Sequence, residues 1–401
     1  MKRTQSSILT FFIIYFSFTI TSNLVHPVTP AFLQMMQFPS YMQGVAYSAM
    51  SFFIFFTSPF WGRMGDRSSY AKMMAIGYFG YALGQLVFSL SRAVPLMLFA
   101  RLISGTASGA LQVNSLAYLV SCSNEQNRGK YLAIYAALQS VGTSVGYFAG
   151  GLIGDYNVLL AFYVQVALVA AMGGVTLLIL RDPADRTHDS RPITLREVNP
   201  VSSMITSAKK VDAAMGVFLA TVFCFGFAMM AHDNYFGYFL QDQLGFPPSV
   251  NGYFKAVIGV IAIIANSTIN MWITKHTDVR KSNVVILGLC SVSLLCMVSL
   301  SGIPAFLATA LTYYTLSIIV VPVLQVLMMK DEDKADAGTI SGLFNALLAL
   351  GKTAGPLAAS VAYSINPIYP FILAAAMYAL AAGLGIYNRI QYKNRKPKTA
   401  L

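Results

Sequence analysis

Charged side chains are scarce in this sequence of 401 residues. Asp, Glu, Lys and Arg together account for 10% of the residues, whereas hydrophobic residues account for 56%. A soluble domain usually carries about 25% charged residues, so a large buried core alone does not explain this composition. The composition therefore excludes an ordinary soluble protein and predicts one that lies in a lipid bilayer.

Cysteine is rare as well, and its distribution does not indicate a metal site. The four cysteines lie in or at the end of apolar segments, without the spacing of metal ligands or of a disulfide framework. Paired acids, or a nucleophile with its base, are also missing at the spacing that an enzyme active site needs. We therefore expect no metal, no other cofactor and no enzymatic activity. The thiols of Cys122, Cys224, Cys290 and Cys296 are expected to pack between helices.

Acidic residues are outnumbered by basic ones, which gives the chain a net charge of +12. Of the 27 Lys and Arg residues, 23 lie in or beside the two termini and the loops that follow every second apolar segment. Because basic residues are retained on the cytoplasmic side, both termini are expected to be cytoplasmic in the cell membrane. The same charges are expected to contact anionic lipid headgroups. No separate basic domain indicates binding to nucleic acid.

Long apolar runs, in contrast, recur along the whole chain. Each run is long enough to cross the ~30 Å hydrocarbon core of a bilayer as a helix. The first, from Ile8 to Leu24, is too long for a signal peptide and lacks a small-residue cleavage site. We predict an all-α membrane protein with twelve transmembrane helices. They lie near residues 8–34, 43–63, 73–91, 95–121, 129–153, 157–180, 213–240, 251–274, 283–302, 304–329, 338–363 and 366–388.

The two halves of the chain share a glycine pattern at an offset of 209 residues. A parallel repeat of roughly equal halves is typical of one class of membrane transporter. We therefore predict two pseudo-symmetric six-helix bundles, over residues 1–180 and 213–401, the second with a cytoplasmic tail. The mixed-charge segment 181–212 is predicted to be a cytoplasmic linker, with a short amphipathic helix from Pro200 to Asp212. The repeated glycines are Gly129, Gly142 and Gly146 in the first half and Gly338, Gly351 and Gly355 in the second.

Three local motifs lie in the first half. A loop with an acid and several bases can hold helix ends together through a charge network. In the fourth span an arginine precedes a glycine by four residues, and in the fifth span glycines on one face permit close helix approach. The motifs are the loop residues Gly62, Asp66, Arg67 and Lys72; the pair Arg101 and Gly105; and the glycines Gly142, Gly146, Gly150 and Gly151.

Together these motifs resemble those of the major facilitator superfamily, and specifically its twelve-helix drug/proton antiporter branch. The resemblance implies two six-helix bundles that work by alternating access, a gating role for the loop, and proton coupling by the arginine of the fourth span. The chain departs from the family pattern in two places. Tyr70 and Ala71 stand at the paired basic positions of the loop, and Tyr147 stands where the fifth-span motif has proline. The second half keeps the expected form as Gly355-Pro356.

Ionisable groups inside the predicted spans are the best guide to chemistry, because charge in hydrocarbon is costly unless it faces a partner or water. Arg101, Asp233 and His26 are the candidates for proton coupling. Alternatively, Arg101 snorkels towards the outer headgroups, and His26 caps backbone that neighbouring prolines leave without partners. Asp233, in turn, lies at a solvated helix end if the seventh span stops near Met230.

Two lysines add positive charge within the spans. Lys352 lies about 20 Å from the start of the eleventh span, so we expect a water-filled cavity or a counter-ion, with a structural ion pair as the alternative. Lys255 can pair with Asp233, line a cavity that prefers anionic groups, or snorkel outward. Neutral polar and aromatic residues are further candidates for the cavity wall, although each amide can instead join two helices. They are Gln112, Asn114, Tyr135, Gln139, Tyr235, Asn266 and Asn345.

These features favour a secondary active transporter that exports small amphipathic or drug-like molecules in exchange for protons. A carrier for an anionic metabolite is the alternative, since Arg101, Lys255 and Lys352 outnumber the one deep carboxylate. An intramembrane enzyme or a receptor is a remote alternative, because neither accounts for the repeat. The expected partners are a small-molecule substrate, protons and membrane lipids, and the protein is expected to be a monomer.

Overall fold

The computed structural model describes residues 2–183, 194, 198–208, 211–330 and 337–395. Much of the predicted linker and the end of the predicted tail therefore lie outside the described residues. Across the described ranges every regular element is helical, as the composition predicts. The first half contains α1 (Lys2–Ser22), α2 (Thr29–Met35), α3 (Met42–Arg67), α4 (Tyr70–Ser89), α5 (Val94–Ser121), α6 (Arg128–Tyr156) and α7 (Val158–Ile179). The second half contains α8 (Pro200–Ala208), α9 (Ala213–Asp242), α10 (Pro248–Ala265), a π-helical turn (Asn266–Asn270), α11 (Met271–His276), α12 (Val279–Ser299), α13 (Ile303–Lys330), α14 (Ala337–Ile365) and α15 (Tyr369–Arg395).

The helices include one at each of the twelve predicted spans. Seven helical segments of the described chain are long and apolar enough to cross a membrane: α5, α7, α9, the run from α10 to α11, α12, α13 and α15. The other five spans correspond to α1, α3, α4, α6 and α14, which are 20 to 29 residues long. These five helices include most of the motif glycines. The fold is thus the twelve-helix architecture that the sequence predicts.

Large apolar side chains lie on the helix surfaces. At the end of α7, for example, Leu177, Leu178 and Ile179 are 53%, 81% and 58% exposed. Monomeric soluble proteins rarely expose contiguous apolar surface of this kind, whereas lipid tails cover it readily. The protein is therefore a multi-pass membrane protein.

The first predicted span, residues 8–34, is not one continuous helix. α1 ends at Ser22, and α2 begins at Thr29 after a stretch of turns. Pro27 and Pro30 have no backbone N–H to donate, so the helical hydrogen-bond ladder cannot continue through them. The prolines expected to weaken this helix in fact divide it.

The eighth predicted span, residues 251–274, contains a π-helical turn that the sequence analysis did not predict. The turn covers Asn266–Asn270 and connects α10 to α11. The hydroxyl groups of Ser267 and Thr268 each donate to the carbonyl oxygen four residues earlier, at 2.7 Å. Side-chain hydrogen bonds of this kind compete with the backbone ladder, although regular α-helices of this protein contain them too.

The contacts divide the chain into two compact units, which we call unit 1 and unit 2. Unit 1 comprises Met1–Met42, Ala49–Ser202 and Gly237–Gly259. Unit 2 comprises Gln43–Ser48, Ser203–Phe236 and Val260–Leu401. Each unit therefore contains segments from both halves of the sequence. The division into bundles over residues 1–180 and 213–401 stays a prediction.

In unit 1, the motif glycines lie where neighbouring helices approach most closely. A Cβ atom at Gly142 of α6 would collide with the Thr19 hydroxyl of α1, and one at Gly146 with the Ile20 carbonyl oxygen. The absence of a side chain therefore lets the two backbones meet. The same holds for Gly150 against Leu24, Gly151 against Pro248 and Ser249, and Gly105 of α5 against Met50 of α3.

In unit 2, the repeated glycines make the equivalent approach. A Cβ atom at Gly351 of α14 would collide with the Phe223 carbonyl oxygen of α9, and one at Gly355 with that of Phe227. α14 and α9 are the second-half counterparts of α6 and α1. The glycine repeat in the sequence is therefore a repeat in packing, which ties one helix pair together in each half.

Replacing Gly355 by valine tests this contact. The added side chain would overpack the α9–α14 contact and is expected to lower the free energy of unfolding by about 1–3 kcal/mol. The matched control is Gly342→Val on the same helix, because a Cβ atom at Gly342 meets nothing within 4 Å. Thermal unfolding of the detergent-purified variants measures both effects. Equal melting temperatures for the two variants would contradict the packing role.

Candidate functional site

A carboxylate lies within the long helix α9 of unit 2. Asp233 is half-buried and lies nine residues, or about 13 Å, before α9 ends at Asp242. The helix therefore continues past Met230, and Asp233 does not lie at its end. The hydroxyl group of Tyr314, on α13, donates a hydrogen bond of 2.7 Å to Asp233 Oδ1. A charged hydrogen bond of this length holds the carboxylate in a defined position between two helices.

Lys352 is the basic group associated with this carboxylate. It lies fifteen residues into α14, about 22 Å along the helix from Ala337. The Lys352 side chain lies close enough to Asp233 for the two groups to interact electrostatically. We call Asp233, Tyr314 and Lys352 the Asp233 cluster. It brings together one acid, one base and one hydroxyl group from three helices.

Aromatic rings surround the residue next to Asp233. His232 is fully buried, and its ring centroid lies 4.2 Å from that of Tyr313 and 5.4 Å from that of Phe236. The Tyr313 hydroxyl group in turn lies 3.0 Å from the Tyr378 hydroxyl group. His232, the neighbour of Asp233 on α9, is thus packed by aromatic groups.

Tyr235, a predicted cavity residue, has a different place in unit 2. It is fully buried, its ring stacks on Tyr363 at 4.9 Å, and its hydroxyl group accepts a 3.2 Å hydrogen bond from the backbone N–H of Gly44. Nearby, Ser48 donates to the Thr353 carbonyl oxygen at 2.7 Å. Tyr235 therefore joins α9 to the first turns of α3, which also pack through Gly44 on Pro356.

Arg101 lies in the interior of unit 1, and only 8% of it is exposed. Its guanidinium carbon lies 3.7 Å from the centre of the Phe88 ring, and its Nη1 lies 3.7 Å from the Met50 sulfur. Its Nε has no hydrogen-bond partner among the described residues. The side chain therefore does not snorkel to a surface but is held by a cation–π contact inside the helices.

The remaining ionisable candidates of unit 1 meet at Tyr147. The ring of His26 stacks on that of Tyr147 with 5.6 Å between centroids, and Lys255 Nζ lies 5.8 Å from the Tyr147 ring centre. His26 is thus not only a cap for the backbone near Pro27. Tyr147, which stands at the proline position of the fifth-span motif, therefore lies beside both basic side chains.

The neutral candidates divide into two groups. Asn114 is fully buried and donates to the Trp61 carbonyl oxygen at 3.2 Å, so it joins α5 to α3. Tyr135 is half-buried and stacks on Tyr15 at 4.0 Å. The other four have exposed side chains, and their place in a cavity wall stays a prediction. They are Gln112, Gln139, Asn266 and Asn345.

In the loop between α3 and α4, two carboxylates accept hydrogen bonds from Tyr70 and its neighbour. The hydroxyl group of Tyr70, which replaces a base of the motif, donates to Asp66 Oδ1 at 2.8 Å. Asp182, in the segment after α7, accepts hydrogen bonds from the backbone N–H groups of Tyr70 and Ala71 at 2.9 and 3.0 Å. A carboxylate outside the motif therefore caps α4 and favourably meets its helix dipole.

The remaining motif residues of this loop are Gly62, Arg67 and Lys72. Gly62 lies where a Cβ atom would press on Val113 at 3.1 Å, and Arg67 is the exposed last residue of α3. The backbone N–H of Lys72 donates to the Ser69 hydroxyl group at 3.2 Å. Ser69 and Asp182 together therefore satisfy the first N–H groups of α4.

The loop between α11 and α12 corresponds, in the second half of the chain, to the α3–α4 loop. One of its residues, Asp278, forms an ion pair. Asp278 accepts from the backbone N–H groups of Arg280 and Lys281 at the start of α12, and Arg389 Nη2 lies 3.0 Å from Asp278 Oδ2. Partial burial alone would raise the pKa of Asp278. The hydrogen bond and positive charge of Arg389, together with the two backbone N–H groups, have the larger effect, so the pKa lies below its ordinary value. This carboxylate therefore stays ionised at neutral pH.

Three hydrogen-bonded contacts between residues that are distant in the sequence were not predicted. Nothing in the local sequence distinguishes Tyr314 from the other tyrosines of the predicted spans. Asp182 and Arg389 are likewise not distinguished from the other charged residues of the loops and the linker. The contacts join residues 81 and 111 or more positions apart, so no local spacing carries them.

Comparison with known proteins identifies the class that these helices define. A model of the Major Facilitator Superfamily matches residues 9–356, and the chain belongs to this family of transporters. The chain is 23% identical over 394 residues to multidrug resistance protein 2 of Bacillus subtilis, covering 96% of each. It is 23% identical over 368 residues to the class C tetracycline resistance protein of Escherichia coli, covering 89% of this chain and 90% of that protein.

The fold is also that of solved transporters. The structure of a bacterial homologue of the human lysosomal transporter Spinster, inward-facing and unoccupied, aligns over 99% of each chain with a TM-score of 0.79 at 10% sequence identity. At this identity the likeness concerns the fold alone.

Replacing Asp182 by alanine tests the cap on α4. The variant is expected to lose about 1 kcal/mol of stability, because two N–H groups at the start of α4 lose their acceptor. Asp182→Asn, which keeps one acceptor oxygen, is expected to lose less. Glu125→Ala, in the exposed loop before α6, is the control for removing a loop acid. A melting temperature for Asp182→Ala that matches the control would show that the contact contributes nothing.

Proposed function

We propose that the protein is a proton-coupled exporter of small amphipathic or drug-like molecules. The observation that carries the proposal is the Asp233 cluster, a protonatable carboxylate within a transmembrane helix, held by Tyr314 and attracted to Lys352. Ionisable groups at such depth are expensive and mark ion pathways in transporters. Relatives named for multidrug and tetracycline resistance support export of drug-like compounds.

The cluster suggests how a proton could drive the cycle. While Asp233 is ionised, its charge is balanced by Lys352 and by the hydrogen bond from Tyr314. Protonation removes the attraction to Lys352 and lets α9 and α14 rearrange relative to each other. A cationic substrate near the ionised carboxylate would favour the other state, so proton and substrate would compete for one charge.

Two six-helix bundles, residues 1–180 and 213–401, would expose the substrate alternately to the two sides of the membrane. The basic loops favour an orientation with both termini in the cytoplasm and the protein, as a monomer, in the cell membrane. The α3–α4 loop, with Asp66, Arg67 and Asp182, would then be cytoplasmic and stabilise one of the two states.

In the first half, Arg101 and the pair formed by His26 and Lys255 are proposed to take part in coupling. Arg101 is a buried charge without a carboxylate partner among the described residues. The free-energy cost of burying this charge is offset by the face of the Phe88 ring and by nearby dipoles. Protonation of His26 would place two positive charges beside Tyr147. That repulsion would make this contact sensitive to protons.

A carrier for an anionic metabolite is the second candidate. The specific observation in its favour is that Lys255 and His26 bring two basic nitrogen-containing groups to one ring, Tyr147. Transport into proteoliposomes under an imposed pH gradient separates the candidates, with ethidium as the cationic probe and fluorescein as the anionic one. Ethidium movement that follows the gradient supports the exporter; fluorescein movement without it supports the anion carrier.

Replacing Asp233 by asparagine tests the coupling. Gradient-driven ethidium transport is expected to fall to about a tenth or less, because an amide cannot bind and release the proton. Counterflow exchange without a gradient is expected to persist. Asp242→Asn, the same change at the end of the same helix, is the control and should leave both rates unchanged. Retained gradient-driven transport in Asp233→Asn would remove this residue from the coupling step.

A further inference from the structure

Three buried hydroxyl groups lie together in unit 2, beside the Asp233 cluster. The Tyr378 hydroxyl group, on α15, lies 3.0 Å from the Tyr313 hydroxyl group and 3.0 Å from that of Ser317, both on α13. No more than 4% of any of the three residues is exposed. A hydroxyl group has one proton to donate and two lone pairs that accept, so Tyr378 can donate to one neighbour and accept from the other. We call these three residues the hydroxyl bridge.

The hydroxyl bridge restrains one face of α13. Tyr313 and Ser317 are four residues apart, so they lie one above the other on the same side of the helix. A single side chain of α15 therefore contacts two successive turns of α13, which limits the rotation of that helix about its own axis. Further along, Pro322 cannot donate to the Ile318 carbonyl oxygen, so the hydrogen-bond ladder of α13 lacks a bond just after the bridge. The rotation of the segment that carries Tyr313 therefore depends on side-chain contacts such as this one.

Tyr314 directly follows Tyr313 and turns with the same helix. Its side chain lies about 100° further round α13. There its hydroxyl group donates the 2.7 Å hydrogen bond to Asp233 Oδ1. The surface of a helix lies about 5–6 Å from its axis, so a rotation of about 10° moves a group there by about 1 Å. A displacement of that size takes the Tyr314 hydroxyl group out of hydrogen-bonding distance of the carboxylate.

Ring contacts connect the same helices. His232 of α9 lies against both tyrosines of α13, with 4.2 Å between ring centroids to Tyr313 and 5.1 Å to Tyr314. The Tyr378 ring lies 6.1 Å from that of Phe225, also on α9, and 5.7 Å from that of Tyr313. Tyr378 thus contacts α9 through its ring and α13 through its hydroxyl group. These are the two helices that the hydrogen bond from Tyr314 to Asp233 joins.

We propose that Tyr378 is a positioning residue for the Asp233 cluster. Its hydroxyl group, held between Tyr313 and Ser317, sets the rotation of α13 and so directs the Tyr314 hydroxyl group at Asp233. Tyr378 acts through Tyr314 and not by binding a proton or a substrate itself. The inference rests on the proposed function, in which Asp233 binds either a proton or a cationic substrate. The alternative is a tyrosine that stabilises the fold without any effect on Asp233.

The pH dependence of ethidium binding tests the proposal. The purified full-length protein, in detergent, is titrated with ethidium over a range of pH, and the midpoint is the pH of half-maximal affinity. Tyr314→Phe removes a hydrogen bond that stabilises the ionised carboxylate, so the proton competes better and the midpoint is expected to rise by about one pH unit. Tyr378→Phe keeps the ring and removes the hydroxyl group, and is expected to raise the midpoint by about half a unit. Lys352 and His232 are present in every variant, so their effect on Asp233 is constant.

The double variant distinguishes positioning from an independent structural role. If Tyr378 acts through Tyr314, the variant with both tyrosines changed to phenylalanine has the midpoint of Tyr314→Phe alone, because no hydroxyl group is left to position. Additive shifts, or an unchanged midpoint in Tyr378→Phe, overturn the proposal. Tyr118→Phe is the matched control, since it removes a buried hydroxyl group of unit 1 that donates to the Arg181 carbonyl oxygen at 3.0 Å. A shift in this control equal to that of Tyr378→Phe also overturns the proposal.

Ser317→Ala is the milder variant, for the case in which Tyr378→Phe does not fold. It removes one of the two contacts of the Tyr378 hydroxyl group and leaves the one with Tyr313. The midpoint is expected to rise, by less than in Tyr378→Phe. An unchanged midpoint in a folded Ser317→Ala overturns the proposal.

Thermal unfolding keeps this inference separable from the proposed function. The decreases in melting temperature of Tyr314→Phe and Tyr378→Phe are expected to sum to more than the decrease in the double variant, because the second hydroxyl group depends on the first. Additive decreases overturn the positioning role, whatever Asp233 binds. If Asp233→Asn instead retains the midpoint of the unchanged protein, the proposed function fails, and non-additive melting temperatures still support the positioning role.

Discussion

Desolvation of ionised side chains is the constraint on which the rest of this structure depends. A charge within the hydrocarbon of a membrane is tolerated only where another group compensates for the water it has lost. Asp233 has Tyr314 and the charge of Lys352, while Arg101 has the face of Phe88. Each of these contacts joins two helices, so the ionisable side chains contribute to helix packing.

Close helix approach is the second requirement, and glycine supplies it twice. Gly142 and Gly146 bring α6 onto α1, and Gly351 and Gly355 bring α14 onto α9. Contacts between backbones leave little room for side chains and hold the paired helices at a short separation. Lys352 follows Gly351 directly, so the second of these contacts lies beside the Asp233 cluster. A change in charge there acts on a helix pair that is already in close contact.

Features with a regular period were predictable from the sequence, whereas contacts between distant residues were not. Hydropathy predicted all twelve spans, and the glycine repeat predicted the paired helix contacts. The break before α2 lies at Pro27 and Pro30, whereas no residue type in Asn266–Asn270 indicated the π-helical turn. Asp233 could be selected because it is a carboxylate in an apolar run. Its partner Tyr314 could not, since 81 residues separate them and tyrosine is common in this chain.

Proton release on substrate binding is the measurement that tests the central claim most directly. Purified protein in weakly buffered detergent solution would be mixed with ethidium while the pH and the bound dye are recorded together. If Asp233 exchanges its proton for a cationic substrate, about one proton is released for each dye bound, and Asp233→Asn binds dye without releasing it. Binding without proton release in the unchanged protein, or equal release in Asp233→Asn, would contradict the account.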